Sequence, residues 1–315
     1  MNKIPLLVIT GPTASGKTDL AIQVAQQLNG EIISADSMQI YRYMDIGTAK
    51  PSIDERQGIP HHMIDVRNPD DEFNVSMFQK LSSDIIRQIT KRGKIPILAG
   101  GTGFYISSII YPMNFTDAVE DPEYRSHLNK LLDQHGTTWL HNHLRRVDPV
   151  SAQRLHPNDT RRVIRAMEVF HLTGKTMEAF RQDFSELDSP YSTRIYGLTM
   201  DRQLLYDRIN LRVDRMIESG LIEEVKEIMD RGYSRNLVSM QGLGYKEIVD
   251  YLKGLSTQEE SINILKRNTR RFAKRQIAWF KREEQIIWLD PFKMGDLKTV
   301  GNWLITDIGN NLLSN

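Results

Sequence analysis

The chain has 315 residues, 40% of them apolar and 26% charged, with a net charge of +1 and no cysteine. This suits a globular protein of one large or two modest domains, and the missing thiols exclude disulfides and cysteine-ligated zinc. No apolar run approaches the roughly 20 residues that cross a bilayer, and the short apolar start leads into a glycine-rich loop rather than a cleavage site, so a cytoplasmic protein without a membrane role is expected.

In chain order, "LLVIT" (6–10) reads as a buried strand and "GPTASGKT" (11–18) as a loop. An amphipathic helix follows, with Leu20, Ala21, Val24, Ala25 and Leu28 on one face. "EIISA" is a second short strand running up to Asp36, and "HHMIDV" (61–66) is a weaker third candidate. "IPILAGG" (95–101) is a further strand, ending in the turn Gly100-Gly101-Thr102-Gly103. Strands alternating with helices predict an α/β fold with a parallel, doubly wound sheet.

Between about 111 and 191 the strand-like runs stop. Helical segments at 122–132, 138–147, 149–155, 160–173 and 176–184 predict an all-helical insertion. It divides a core domain of 1–110 and 192–315. "RIYGLTM" (194–200) returns to the sheet, and amphipathic helices are expected over 202–231, 244–253 and 257–284. "QIIWLD" supplies a last strand and 296–313 a closing helix.

Gly11, Pro12, Thr13, Ala14, Ser15, Gly16, Lys17 and Thr18 fit the phosphate-loop pattern G-x-x-x-x-G-K-[ST]. A glycine-rich turn between strand and helix aims backbone N–H groups at an anion, and the helix N-terminus adds partial positive charge. Lys17 can reach outer phosphate oxygens, and the Thr18 hydroxyl can ligate Mg²⁺. Such loops usually hold ATP or GTP, but the loop reads phosphates and not what they carry. A nucleotide hydrolase adds an apolar strand ending in a metal-binding Asp. The best match, Asp290 after "IIWL", reads instead as a strand stopped before Pro291.

Asp36 is the one carboxylate at a strand end facing the expected phosphate site. An acid there is unfavourable unless it ligates metal or takes a proton. The alternative is a turn cap, since Asp-Ser is a common turn pair. Thr102 gains weight only from its position. Between Lys266 and Arg282 lie eight basic residues and no acidic one. Leu265, Thr269, Phe272, Ala273, Gln276, Trp279 and Phe280 form the inner stripe of this helix. The cations lie elsewhere, either on a solvated face or against a phosphate backbone, which the absence of acids favours. The histidine pairs 61/62 and 141/143 lack the spacing for zinc on a helix.

"SADSMQIYRYMDIGTAKP" (34–51), "GGTGFY" (100–105), "HPNDTRRVIRAMEVF" (156–170), "RINLRVDRMIESGLIEEV" (208–225), "QGLGYKE" (241–247) and "AKRQIAWFKR" (273–282) join the phosphate loop in a fixed order. In these motifs the chain resembles the tRNA dimethylallyltransferases, along nearly its whole length. The resemblance implies a P-loop NTPase-like core. It also implies transfer of a dimethylallyl group from dimethylallyl diphosphate to N6 of the adenosine 3′-adjacent to the anticodon, in tRNAs reading codons that start with U.

By the same resemblance Asp36 is the catalytic acid–base residue and Thr102 lies beside the target base. Lys17 and Arg212 assist the diphosphate, although Arg212 could equally sit on a solvated helix face. Mg²⁺ is the implied cofactor and the tRNA anticodon stem-loop the implied partner of a monomer. RNA contacts fall on Asp36, Ser37, Met38 and Gln39, and on Gln241, Gly242, Leu243, Gly244, Tyr245 and Lys246. Others fall on Arg125, Arg161, Arg162, Val163, Ile164 and Arg165, and on Lys274, Arg275 and Lys281 of the basic helix. Gln39 and Gln241 carry amides suited to adenine edges. Arg161, Arg162 and Arg165 could instead be the polar face of a helix whose Val163, Ile164 and Met167 pack inward. Rival readings are a P-loop small-molecule kinase, a prenyltransferase acting on free adenine nucleotides, and a non-catalytic RNA-binding protein.

Overall fold

Alternation along the first strand sets the architecture of the core. In β1 (Ile4–Thr10), Leu6 and Val8 join one apolar cluster while Leu7 and Ile9 join another, because successive side chains leave opposite faces of a strand. Helices must therefore cover both faces. In this computed structural model, which describes residues 3–111, 113, 121–179 and 189–313, they do.

The sheet has six strands, all paired in parallel: β1, β2 (Gly30–Ser34), β3 (His61–His62), β4 (Ile95–Gly100), β5 (Tyr191–Leu198) and β6 (Ile286–Leu289). Their spatial order is β3-β2-β4-β1-β5-β6. Leu20, Val24 and Leu304, from α1 (Lys17–Gln27) and the C-terminal helix Leu297–Asn311, pack on one face. On the other, Phe78 and Ile86 of α2 (Val75–Lys91) meet Tyr105 and Ile109 of α3 (Gly103–Ile110).

Two expectations are corrected. "HHMIDV" contributes only two strand residues, His61 and His62, because Met63 and Asp65 adopt φ of 61° and 56° and leave the extended conformation. The helix expected over 202–231 is two helices, Arg202–Glu218 and Leu221–Asp230. Gly220, at φ 96°, turns the chain between them while the apolar spacing runs on. Further helices span Tyr245–Leu252 and Gln258–Phe280, the latter opened by a Thr257/Glu260 capping box.

The chain divides into two compact units, Met1–Ile110 with Pro190–Asn315, and Tyr111–Ser189. Among its described residues the second unit contains α4 (Pro122–His135), α5 (Thr137–Val147), α6 (Pro149–Arg154) and α7 (Thr160–Thr173). These close on Leu128, Leu140, Leu144, Val163 and Met167. Of the helix expected at 176–184, residues 180–184 lie outside the described residues.

Candidate active site

Strands β2, β4 and β1 lie side by side, so the segments leaving their C-terminal ends converge. The Thr10 hydroxyl donates to the Gly100 carbonyl at 3.0 Å, and the Ala35 N–H to Ala99 O at 2.8 Å. The Thr102 N–H returns to Ala35 O at 3.0 Å. Phosphate loop, Asp36 segment and glycine turn are thereby tied at one edge.

Gly16 enters α1 with φ 96° and no side-chain cap, leaving the first N–H groups of the helix available to an anion. The buried Ser15 hydroxyl has no hydrogen-bond partner, which suits a loop shaped around an absent acceptor. The Lys17 ammonium donates to Pro12 O at 3.1 Å. Burial, reinforced by Arg212 and opposed by Asp36, lowers its pKa to about 8. Ala14 holds a left-handed φ of 64°, and Arg208 Nε donates to its carbonyl at 2.9 Å.

Lys17, Thr18, Asp36 and Arg212 line one cavity. Arg212 reaches it from the helix Arg202–Glu218, and burial depresses its pKa against the opposing pull of Asp36 and Asp19. One Asp36 oxygen accepts the Met38 N–H at 2.9 Å. The turn cap and the cavity-facing acid are therefore the same residue. Thr102 Oγ1 accepts the N–H of Ser37, the residue after Asp36, at 3.1 Å, although Thr102 itself is not one of the residues lining the cavity.

A magnesium ion fits this site only as a companion of a phosphate ligand. No cluster of three or more histidines, aspartates and glutamates stands ready for a metal among the described residues. Thr18 and Asp36 are among the oxygen-bearing residues that line the cavity, and Mg²⁺ commonly completes its shell with phosphate oxygens and water.

Among the cavity residues that the sequence does not single out as site residues, His61 and Gln276 carry polar groups of note. His61 carries a buried Nε2 without a partner, its Nδ1 lying 2.8 Å from Ile59 O, and burial lowers its pKa. Gln276 spans the phosphate loop and the glycine turn, accepting the Thr13 N–H and donating to Gly101 O, both at 2.9 Å. Apolar spacing assigned it to the inner stripe of its helix, and a polar residue within such a stripe was the signal available.

Several residues expected to touch RNA make defined contacts within the protein. Val163 and Ile164 are core side chains of the helical unit, because their face of α7 closes its apolar cluster. Arg125 and Arg165 both pair with the fully buried Glu168, whose carboxylate they and the Asp121 N–H hold below the usual range against the opposing effect of burial. The Gln39 amide is occupied: its oxygen accepts from Ser34 Oγ at 2.8 Å and its nitrogen donates to Thr48 O and Ala49 O. Tyr245 is fully buried with its hydroxyl donating to Glu224 at 2.7 Å, and Gly244 caps its helix. Met38 packs against the cluster around Met240, close to Gly242. Arg161, Arg162, Gln241, Lys274, Arg275 and Lys281 are exposed, and Ser37, Leu243 and Lys246 are half-buried.

The parallel sheet, with its loop leading from β1 into α1, defines a P-loop-like α/β fold. The family model described as IPP transferase matches residues 39–283. A "tRNA dimethylallyltransferase" of Alkaliphilus oremlandii is 51% identical, with 96% of each chain covered. Among solved structures, a tRNA isopentenylpyrophosphate transferase from Bacillus halodurans is 44% identical with a TM-score of 0.72, covering 98% of both chains. A eukaryotic dimethylallyltransferase described as acting on tRNA has a TM-score of 0.81 at 31% identity, covering 99% of this chain and 80% of that one. The chain belongs to the IPP transferase family and is an enzyme of prenyl transfer.

Proposed function

We propose that the enzyme transfers a dimethylallyl group from dimethylallyl diphosphate to the exocyclic N6 of an adenosine beside the anticodon of tRNA. The observation that carries this reading is the shared cavity, in which phosphate-loop Lys17, Asp36 and Arg212 face one space. Adenine N6 is a weak nucleophile because its lone pair is delocalised into the ring. The Asp36 carboxylate accepts the N6 proton as the N–C bond forms and the C–O bond of the donor breaks. The leaving diphosphate takes the electron pair of that bond, and Lys17, Arg212 and the loop N–H groups neutralise its growing charge. Mg²⁺, held by Thr18 and the diphosphate, would supply further neutralisation.

The acceptor base must leave its stack to reach Asp36. The exposed cations Lys274, Arg275 and Lys281 suit the phosphates flanking such a base. A kinase would break a P–O bond, whereas membership of the IPP transferase family goes with breaking the C–O bond of a prenyl donor. Incubation with labelled dimethylallyl diphosphate and unmodified tRNA should place label on one adenosine of the anticodon loop. Label on free adenine nucleotides alone, or on no acceptor, would overturn the reading.

A further inference from the structure

The donor and acceptor halves of the site lie on different strand ends, and one side chain from far along the chain bridges them. Gln276 sits on the helix Gln258–Phe280 with only 6% of its surface exposed. Its Oε1 accepts the N–H of Thr13, inside the phosphate loop, and its Nε2 donates to the carbonyl of Gly101, the residue before Thr102. Both ends of the amide are used, so neither a carboxylate nor an apolar side chain of similar size reproduces the bridge.

The neighbouring backbone is fitted to this amide. A Cβ on Gly101 would stand 2.2 Å from Gln276 Nε2, and Gly101 has no positive φ that would itself demand glycine. Close approach of the glutamine is what the glycine accommodates. The exposed cations Lys274 and Arg275 immediately precede Gln276 on the same helix. The segment presenting charge to solvent thus also inserts the bridge.

We propose that Gln276 is a positioning residue for the transfer reaction, setting the phosphate loop at a fixed distance from the Gly100–Gly103 turn that carries Thr102 and packs against the Asp36 segment. It touches neither reacting atom. It acts through Thr13 on the leaving-group side and through Gly101 on the acceptor side. This rests on the prenyl-transfer reading for its kinetic consequence, but its effect on the phosphate loop stands independently.

The test uses Gln276→Ala, Gly101→Ala and the double variant, with two readouts. The first is titration of inorganic diphosphate with Mg²⁺. Gln276→Ala should weaken binding roughly fivefold or more, as expected when a buried hydrogen bond is removed from the loop. The second is the single-turnover rate at saturating donor and tRNA, which should fall roughly tenfold or more while KM for tRNA stays within twofold. Gly101→Ala should reproduce the rate loss by displacing the amide. The double variant should be no slower than Gln276→Ala, because the clash disappears with the amide.

Melting temperature, followed in parallel, separates positioning from general damage. A rate loss that vanishes on cooling well below the melting point would overturn the proposal, as would additive losses in the double variant. Diphosphate affinity within twofold of the parent would overturn it whether or not the parent transfers. If the parent binds diphosphate but labels no tRNA, the functional reading fails, and the titration still decides the role of Gln276.

Discussion

The two units of the chain use arginine in opposite ways. In the sheet unit, Arg212 is half-buried and lines the cavity, makes no ion pair within 4 Å among the described residues, and has its pKa lowered by desolvation. In the helical unit, Arg125 and Arg165 are half-buried and both grip Glu168, which is 0% exposed. A partly buried cation without a partner bears a desolvation cost that a ligand would offset. A cation paired to a buried carboxylate is already satisfied and serves the fold. The difference separates an unpaired cation lining a cavity from cations used to close a core, although both kinds sit in motifs of equal apparent weight.

The sharpest way to break this comparison is at Asp36. Asp36→Ala should slow single-turnover transfer by about 10²–10⁴-fold while tRNA affinity is retained. Near-parental turnover would reduce Asp36 to the turn cap that its bond to Met38 N–H already makes it.

Lys17 offers the next largest effect, with opposite consequences for binding and stability. Lys17→Met should weaken diphosphate binding by roughly 10–100-fold, the range of one lost charge-assisted hydrogen bond in a buried site. The folded pKa, about 8, lies below the ordinary lysine value of 10.5, so at pH 7 the desolvated charge opposes folding. That opposition is full below pH 8 and is relieved as pH rises toward the unfolded value. Without ligand, the variant should therefore be more stable at pH 7, by on the order of 1–3 kcal/mol. In the parent, diphosphate affinity should decline as pH rises through about 8. A flat profile from pH 7 to 9.5 would contradict the assignment.

For the helical unit the expectation reverses. Glu168→Ala should destabilise it by about 1–3 kcal/mol, seen as faster amide exchange across α4 and α7. Arg161→Ala and Arg162→Ala, on exposed positions, should stay within about 0.5 kcal/mol of the parent. If those two variants also leave tRNA affinity untouched, the exposed face of α7 is merely solvated. Smallest in effect, replacing Lys274 and Arg275 by Gln should lower tRNA affinity and reduce its salt slope by about 1 per cation removed. Unchanged affinity and slope would make the basic helix face structural.

The sheet was readable because buried parallel strands leave continuous apolar runs, as in "LLVIT" and "IPILAG", that few other structures require. The short β3 was over-read because the left-handed residues Met63 and Asp65 are neither glycine nor asparagine. The break at Gly220 was missed because apolar periodicity continues through it. Motifs point to Lys17, Asp36 and Arg212, which line one cavity, but not to the directions of the side chains around them. Gln39 turns to Thr48 and Ala49, and Gln276 leaves its apolar stripe to bridge two backbones. Those orientations depend on partners distant in sequence, and no local pattern records them.

In the proposed reaction the phosphate loop holds a leaving diphosphate while a carbon–oxygen bond breaks. Donor carrying oxygen-18 at the bridging position between carbon and phosphorus tests it in one turnover, with both products read by mass spectrometry. All of the heavy oxygen should leave in the diphosphate, together with one adenosine heavier by a five-carbon group. Heavy oxygen retained with the five-carbon fragment, or a phosphorylated acceptor, would contradict it.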